Sequence, residues 1–333
     1  MKMEGDKMKK TAIVNANSFG RYFPEFLDDL SQNVGEVERF KFPADIDQKQ
    51  LAKELSGFSF IVIGTEPQLT KDFFQEADSL KLVARFGIGY NNVDVIAANE
   101  NGVMVSNIPA FMEKDDVAEH AAALTLSMAK LLVFSSTAVK NGEWAVNRER
   151  YLGQRVNGKT VGICGFGNIG VRYGEIMKSA FNCEIICYDP YLSEEEVKKR
   201  GGKKVTFEQL LADSDIISLH MNVSAENKGI FNEKSFSQMK NSAVLINSAR
   251  GGLVIEDDII KALDAGQIGG YATDVLEFEP PKADHPFLHH EKIIATPHIG
   301  AYNRECNHMM CSSVVSDIKN VLAGKEPTNR LYK

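Results

Sequence analysis

Between Val161 and Gly170 the chain reads VGICGFGNIG: an apolar run, then glycines at 165, 167 and 170, then residues suited to a helix. A G-x-G-x-x-G spacing where a strand passes into a helix lets a pyrophosphate lie against bare backbone at the helix N-terminus. Three glycines so spaced also occur in turns that bind nothing, so the spacing alone decides little. Its position decides more. The turn sits near the middle of 333 residues, with short apolar runs and helical segments alternating on both sides. That alternation is the pattern of parallel sheets covered by helices on both faces.

A chain this long suggests two domains. Before residue 109, strands are expected at 11–15, 37–42, 60–64, 82–84 and 103–105, with helices at 25–30, 50–55, 71–77 and 92–100. No glycine-rich turn follows the first strand, so this half reads as a doubly wound unit without a nucleotide site. Asn107-Ile108-Pro109 breaks the pattern, and one long helix rich in Ala and Leu is expected at about 115–140. Its small and apolar residues suit burial on more than one side, against a second subunit or against a neighbouring domain. The second half carries expected strands at 161–164, 184–188, 216–219, 243–246, 270–272 and 293–295, with helices at 168–179, 207–212 and 256–265. A closing helix at 302–322 follows the second half, yet the first half has the room for it. The expected organisation is therefore α/β throughout: a discontinuous domain, 1–108 plus 303–333, around an inserted domain, 109–302.

The net charge of −7 gives no basic field to offset phosphate repulsion, which argues against a nucleic-acid partner. An apolar fraction of 44% and a charged fraction of 25% are ordinary for a soluble globular enzyme, and no run approaches membrane-spanning length. The start, MKMEGDKMKK, is too charged for a signal peptide and reads as a ragged, solvated start, so a cytoplasmic protein is expected. The five cysteines (164, 183, 187, 306 and 311) follow no metal or redox spacing, so reduced, mostly buried thiols and no metal site are expected.

Asp189 follows the second strand of the second half, 19 residues after Gly170. A carboxylate there accepts hydrogen bonds from both adenosine ribose hydroxyls and repels a 2′-phosphate, and neither Tyr188 nor Pro190 offers a cationic clamp. The cofactor expected is NAD rather than NADP. FAD uses a similar turn, but usually nearer the start of its domain.

Three later strands end in polar residues that packing does not require: Arg250 in NSARGG (247–252), three acids in DVLEFEP (274–280), and His298 in TPHIG (296–300). Carboxyl ends of strands face the ligand crevice of a doubly wound sheet. Hydride transfer to a 2-keto acid uses these side-chain types. A guanidinium forks onto the carboxylate. A histidine gives the carbonyl oxygen a proton as hydride reaches the carbon. A carboxylate on the far ring nitrogen holds the tautomer and favours the acid form. Singly, each has an ordinary explanation: a surface arginine, a capping acid, a core histidine.

Together, GFGNIG, Asp189, SARGG (248–252), DVLEFEP (274–280), PHIG (297–300) and LVARFGIGYNNVDVIAANENGVMVSNIP (82–109) resemble the D-isomer-specific 2-hydroxyacid dehydrogenases over almost the whole chain, from about residue 58. The resemblance implies a Rossmann NAD-binding domain inserted into a flavodoxin-like substrate domain. It implies that Arg250 binds substrate, His298 is the acid/base and Glu279 its partner. Gly165, Gly167, Asn168, Ile169, Gly170, Asp189, His220, Ala249, Asp274 and Val117 are implied to meet the cofactor, Asp274 at the nicotinamide amide. Gly87, Ile88 and Gly89 match the loop whose amides hold the substrate carboxylate, with Arg85 beside it. Family members are usually homodimers, joined through the cofactor domain and the helix expected at 115–140.

Three departures stand out: Asp116 where Ser or Thr is usual, Met112 where a polar residue is common, and Asn222 in place of a proline in the His220-Met221-Asn222 loop. The body is similar to short-type 3-phosphoglycerate dehydrogenases. Arg85 suits a substrate phosphate, but Gly64-Thr65-Glu66 supplies no basic partner. Glyoxylate, hydroxypyruvate, 3-phosphohydroxypyruvate and other small 2-keto acids all stay open as substrates. The alternative is an NAD(H)-sensing binding protein of the corepressor type; formate-type chemistry is disfavoured because Glu279, not Gln, accompanies the histidine.

Overall fold

Residues 9–144 and 148–332 are described in the computed structural model; the solvated start expected for residues 1–8 lies outside them. Two units separate along the chain. One runs to Glu113 and resumes at Tyr302, and the other is Lys114–Ala301.

In the first unit, β1 (Lys9–Val14), β2 (Gly35–Phe40), β3 (Phe60–Ile63), β4 (Leu82–Arg85) and β5 (Met104–Ser106) form a parallel sheet in the order β2-β1-β3-β4-β5. This is the flavodoxin-like order. All four residues of β3 (FIVI) are buried, as are all four of β4 (LVAR), because a parallel strand covered on both faces has no polar side. Helices α1 (Glu25–Asn33), α2 (Gln48–Glu54), α3 (Lys71–Glu76) and α4 (Val95–Glu100) fill the connections. Two of them start on an aspartate cap: Asp47 accepts from Lys49 N and Gln50 N, and Asp94 accepts from Ala97 N.

The second unit begins with α5 (Lys114–Ala129) and α6 (Leu132–Lys140). Then come β6 (Thr160–Cys164), α7 (Asn168–Phe181), β7 (Glu184–Tyr188), α8 (Glu194–Lys199), β8 (Lys203–Lys204), α9 (Phe207–Asp213), β9 (Ile216–Leu219), α10 (Glu233–Phe236), β10 (Val244–Asn247), α11 (Glu256–Asp264), β11 (Gly270–Thr273) and β12 (Ile293–Ala295). All strand pairs are parallel, in the order β12-β11-β10-β9-β6-β7-β8. Counted from β6, this is the 3-2-1-4-5-6 order of a dinucleotide-binding sheet with a seventh strand added. Successive residues of one strand serve opposite cores: Val244 and Ile246 join the cluster under α5 and α7, Leu245 the cluster under α9 and α11. The last helix, α12 (Arg304–Leu322), capped by Asn303, packs on α1 and β4 of the first unit and buries Met310, Val314, Ile318 and Val321.

The single helix expected at 115–140 is two helices, bent by 63°. Leu131 takes the left-handed conformation (φ 51°) between them. Continuing α5 would require the Ala129 carbonyl to accept from the next turn; instead it accepts from Gln154 N at 2.7 Å. Gly153 allows that approach, since a Cβ there would lie 2.5 Å from the same carbonyl oxygen. The two halves also differ in environment. Eight residues of α5 are buried, against Ala138 alone in α6. No single described helix is long and apolar enough to cross a membrane.

Candidate active site

The glycine turn joins β6 to α7, and its three glycines have three different local reasons. Gly165 has φ 88°, and a Cβ there would meet the His220–Met221 backbone at 2.8 Å. Gly170 sits in α7 where a Cβ would lie 2.2 Å from the Gly165 carbonyl oxygen. Gly167, the N-cap of α7, faces open space and offers no side-chain cap to the first N–H groups of the helix, which include Asn168, Ile169 and Gly170. The turn is pinned from the next strand. Phe166 N donates to Asp189 Oδ2 at 2.9 Å and Tyr191 N to Asp189 Oδ1 at 2.9 Å, leaving the carboxylate 8% exposed. It borders an open depression of about 520 Å³ lined by Tyr188, Asp189, Pro190 and Lys204–Gln209.

His220, beyond β9, stands on the other side of the turn: its N–H donates to Cys164 O at 2.7 Å, and its Nε2 pairs with Ser218 Oγ at 2.9 Å. Burial pushes its pKa down to about 3, so the ring is neutral.

The strand register brings the remaining segments to one level. Asn247 pairs with Thr273 and Thr273 with Ala295, so the loops bearing Arg250, Asp274 and His298 leave three adjacent strands side by side. His298 Nδ1 lies 2.6 Å from Glu279 Oε2, and Leu276 N donates to Glu279 Oε1 at 2.9 Å. Burial works to raise the Glu279 pKa, but hydrogen bonding and the charge of His298 outweigh it and hold the carboxyl below the ordinary glutamate range. An ionised Glu279 can only accept, which puts the Nδ1 hydrogen on His298 and makes Nε2 the second functional nitrogen.

Arg250 Nη1 donates to Ala249 O at 2.6 Å; Ala249 is itself buried, its N–H donating to Asn247 Oδ1. Gly251 keeps that loop close to the segment leading to Glu279: a Cβ at 251 would lie 2.0–2.3 Å from the Leu276–Glu277 backbone.

Asp274 is 2% exposed and serves the histidine loop. Its Oδ1 accepts from Thr296 Oγ1 (2.6 Å) and Ile299 N (2.9 Å), and its Oδ2 from Gly300 N (2.7 Å). Burial acts to raise its pKa, yet hydrogen bonds from His120, Thr296 and Ile299 together outweigh burial, and it lies below the ordinary aspartate range. Val117 on α5 would stand 3.7 Å from a Cβ at Gly300, which sets it against the same loop.

Sequence reasoning missed His120, Thr296 and Glu256. Glu256 accepts from Glu277 N at 3.0 Å and pairs with His285 Nε2 at 3.0 Å, tying down the segment before Glu279. Only TPH, two residues ahead of His298, carried any signal for Thr296.

Arg85, Gly87, Ile88 and Gly89 belong to the first unit, at the carboxyl end of β4. Gly87 takes φ 141°, a conformation that residues with a Cβ rarely adopt, and the Arg85 guanidinium, which donates to Phe86 O, lies where a Cβ would be. Asn107 Nδ2 donates to Ile88 O and Ile108 N to Gly87 O, fixing the loop's course.

A model of the D-isomer specific 2-hydroxyacid dehydrogenase NAD-binding domain matches residues 122–300. The chain belongs to that family. Glyoxylate reductase of Thermococcus litoralis is 32% identical over 318 residues, covering 94% of this chain and 95% of its own length. D-3-phosphoglycerate dehydrogenase of Archaeoglobus fulgidus is 33% identical over 300 residues, covering 90% and 56%. The chain spans about half the length of the curated phosphoglycerate dehydrogenases it matches. Apo D-lactate dehydrogenase of Escherichia coli superposes with a TM-score of 0.82 at 28% identity, covering 97% and 100%.

The family's cofactor can be tested against the turn. Gly167 leaves open space at an uncapped helix start, as a pyrophosphate requires. His220 Nδ1 and Ser248 Oγ are buried side-chain atoms without hydrogen-bond partners among the described residues, one beside the turn and one at the end of β10. These features fit NAD: the glycine turn would hold its pyrophosphate, and Asp189 its adenosine ribose.

Proposed function

We propose that the chain is an NAD-dependent D-2-hydroxyacid dehydrogenase that interconverts a small 2-keto acid and its D-2-hydroxy acid, acting as a cytoplasmic homodimer without nucleic-acid or membrane partners. The observation that carries this reading is the 2.6 Å pair of His298 Nδ1 and Glu279 Oε2, with the other Glu279 oxygen occupied by Leu276 N. Bound NADH supplies the hydride that the keto carbon receives. Arg250 forks onto the substrate carboxylate and polarises the carbonyl. His298 Nε2 gives its proton to the carbonyl oxygen, and takes it back in the reverse direction. Glu279, held ionised, fixes the ring and offsets the imidazolium charge.

Asp189 supports NAD over NADP, because a buried, backbone-pinned carboxylate would accept from ribose hydroxyls held there and would repel a 2′-phosphate. Leu132, Val133 and Val139 of α6, with Trp144 and Leu152 beyond it, are large exposed apolar side chains, which supports a dimer. The five cysteines are buried free thiols, in keeping with a reducing compartment. The NAD(H)-sensing alternative finds no support among the relatives named above.

The test is NADH consumption with glyoxylate, hydroxypyruvate, 3-phosphohydroxypyruvate and branched-chain and aromatic 2-keto acids, repeated with NADPH. The expected result is turnover of at least one acid, higher kcat/KM with NADH, and a fall of about 10²–10⁴ in kcat for His298→Ala. No turnover above the His298→Ala level on any acid would remove the reading.

A further inference from the structure

His298 has φ 53°, in the left-handed region that side chains other than glycine rarely occupy. Such a conformation persists only where its surroundings over-determine it. Here the surroundings are the Asp274 carboxylate and two carbonyls, those of Asp274 and Thr296, which share the His298 N–H at 3.0 Å each. His298 N donates to Asp274 O, and the next two N–H groups, of Ile299 and Gly300, go to the two oxygens of the Asp274 side chain. The direction of the His298 ring therefore depends on where the Asp274 carboxylate is held.

That position is set from α5. His120 Nε2 is 3.1 Å from Thr296 Oγ1 and 3.4 Å from Asp274 Oδ1. Thr296 has one hydroxyl proton, and the ionised Asp274 Oδ1 at 2.6 Å is both nearer and a stronger acceptor than His120 Nε2 at 3.1 Å or Thr273 O at 3.4 Å, so the proton goes to the carboxylate. Thr296 Oγ1 is then an acceptor toward His120, and Nε2 must carry the hydrogen. The chain of donors runs His120 Nε2–H to Thr296 Oγ1–H to Asp274 Oδ1, with the same Nε2–H also facing Oδ1. Val117 and His120, three residues apart and so on one face of α5, flank the same loop: a Cβ at Gly300 would lie 3.7 Å from Val117 Cγ2 and 3.8 Å from His120 Cδ2. The apolar side chain packs there. The histidine instead spends its ring nitrogen on two polar atoms within a helix that otherwise buries Ala118, Ala121, Ala122 and Leu124.

We propose that His120 is a positioning residue for the acid/base: its Nε2–H fixes Thr296 and Asp274, and through them the left-handed backbone that aims His298 at its partner Glu279. The inference rests on the reading of His298 as the acid/base.

The experiment compares His120→Leu, which keeps bulk but loses the donor, with His120→Gln, whose side-chain amide nitrogen reaches about as far as Nε2. Two readouts are taken on the full chain. The first is steady-state kinetics with NADH and the best 2-keto acid. The second is the downfield proton resonance of the His298–Glu279 hydrogen bond, assigned by its loss in His298→Asn. The expected result for His120→Leu is a fall of about 10–100-fold in kcat with KM for NADH changed less than about 3-fold, and a shifted or broadened resonance. His120→Gln should restore kcat to within about 3-fold of wild type and return the resonance.

Wild-type kcat and resonance in His120→Leu overturn the proposal. Equal losses in both variants, tracking a common fall in Tm, also overturn it, since they would show packing rather than donor placement. Should the wild type turn over no keto acid, the dehydrogenase reading falls by itself, and the resonance in the two variants still decides whether His120 positions His298.

Discussion

Asp274 faces a demand that no surface residue meets: it is an ionised carboxylate that is 2% exposed, and its oxygens hold two consecutive backbone amides. Asp274→Asn replaces one oxygen by an NH₂ group that would confront a backbone N–H, donor against donor. Removing one side of a buried charged network typically costs about 3–5 kcal/mol, and an isosteric amide that keeps one acceptor should fall near the lower end, about 3 kcal/mol. The pH dependence has a definite sign. Because the folded-state pKa is depressed, the charged group contributes stability above its unfolded value of about 3.9, and loses that contribution as pH falls through the folded value. Urea unfolding should show the full difference between wild type and Asp274→Asn at pH 7 and a narrowing one below about pH 4. A constant difference down to pH 3 would argue that packing, not charge, is at stake. Residues of this kind divide by legibility. His298, Glu279 and Arg250 were readable because their types match a reaction and each follows a buried strand. His120 was not, because a histidine between Glu119 and Ala121 within an alanine-rich helix carries no local mark of a partner 154 or more residues away.

Short elements follow a similar division. The buried strands announce themselves by their apolar runs: β3, β4, β9 and β10 are buried at every position, with Arg85, Ser218 and Asn247 the polar exceptions among them. The break between α5 and α6 has no Gly or Pro to signal it; it is made by Gln154, which takes a carbonyl that the helix would have used. α8 and α10 escaped notice because they are short and polar, and stand on capping boxes at Ser193 and Asn232 rather than on an apolar stripe. The element most constrained by sequence is the turn from β6 to α7, and its glycines can be separated by experiment. Gly170→Ala would put a methyl 2.2 Å from a backbone oxygen, forcing α7 off the strand. Gly167→Ala meets nothing in the protein and has an ordinary extended φ of −80°. Calorimetry and NADH fluorescence titration should therefore disagree between the two. Gly170→Ala should lower Tm by several degrees, corresponding to about 2 kcal/mol, and weaken NADH as well. Gly167→Ala should leave Tm within about 1 °C and still weaken NADH about 10-fold or more, because its methyl would occupy the open space proposed for the pyrophosphate. Equal NADH affinity in Gly167→Ala and wild type would mean that the dinucleotide lies elsewhere.

For the whole molecule, the order of strands in each sheet was legible only as a class. Alternating apolar runs and helices require parallel sheets, but β2-β1-β3-β4-β5 in one unit and β12-β11-β10-β9-β6-β7-β8 in the other are long-range pairings that a linear pattern does not encode. Association of copies is a property at the same scale, and the division of the expected long helix changes where to look for it. α5 buries eight of its sixteen residues in its own unit, and those it exposes, Asp115, Glu119 and Ala123, include no large apolar side chain. α6 buries one residue and exposes Leu132 (58%) and Val139 (44%), and the segments after it expose Trp144 (71%) and Leu152 (86%). Apolar side chains at that density on one short stretch are expensive to leave in water, at about 25 cal/mol for each Å². A second copy seated there would bury them, and a stable dimer needs about 1,200–2,000 Å² in total. Sedimentation at micromolar concentration should give about twice the 36.9 kDa of one chain. Leu132→Asp combined with Val139→Asp should shift the species to one chain, because two carboxylates would have to be desolvated in the interface. Both positions are exposed in the single chain, so Tm of the separated monomer reports directly whether the fold itself survives the change. A wild type that sediments as a monomer would remove the dimer, and a double variant that stays dimeric would move the contact away from α6.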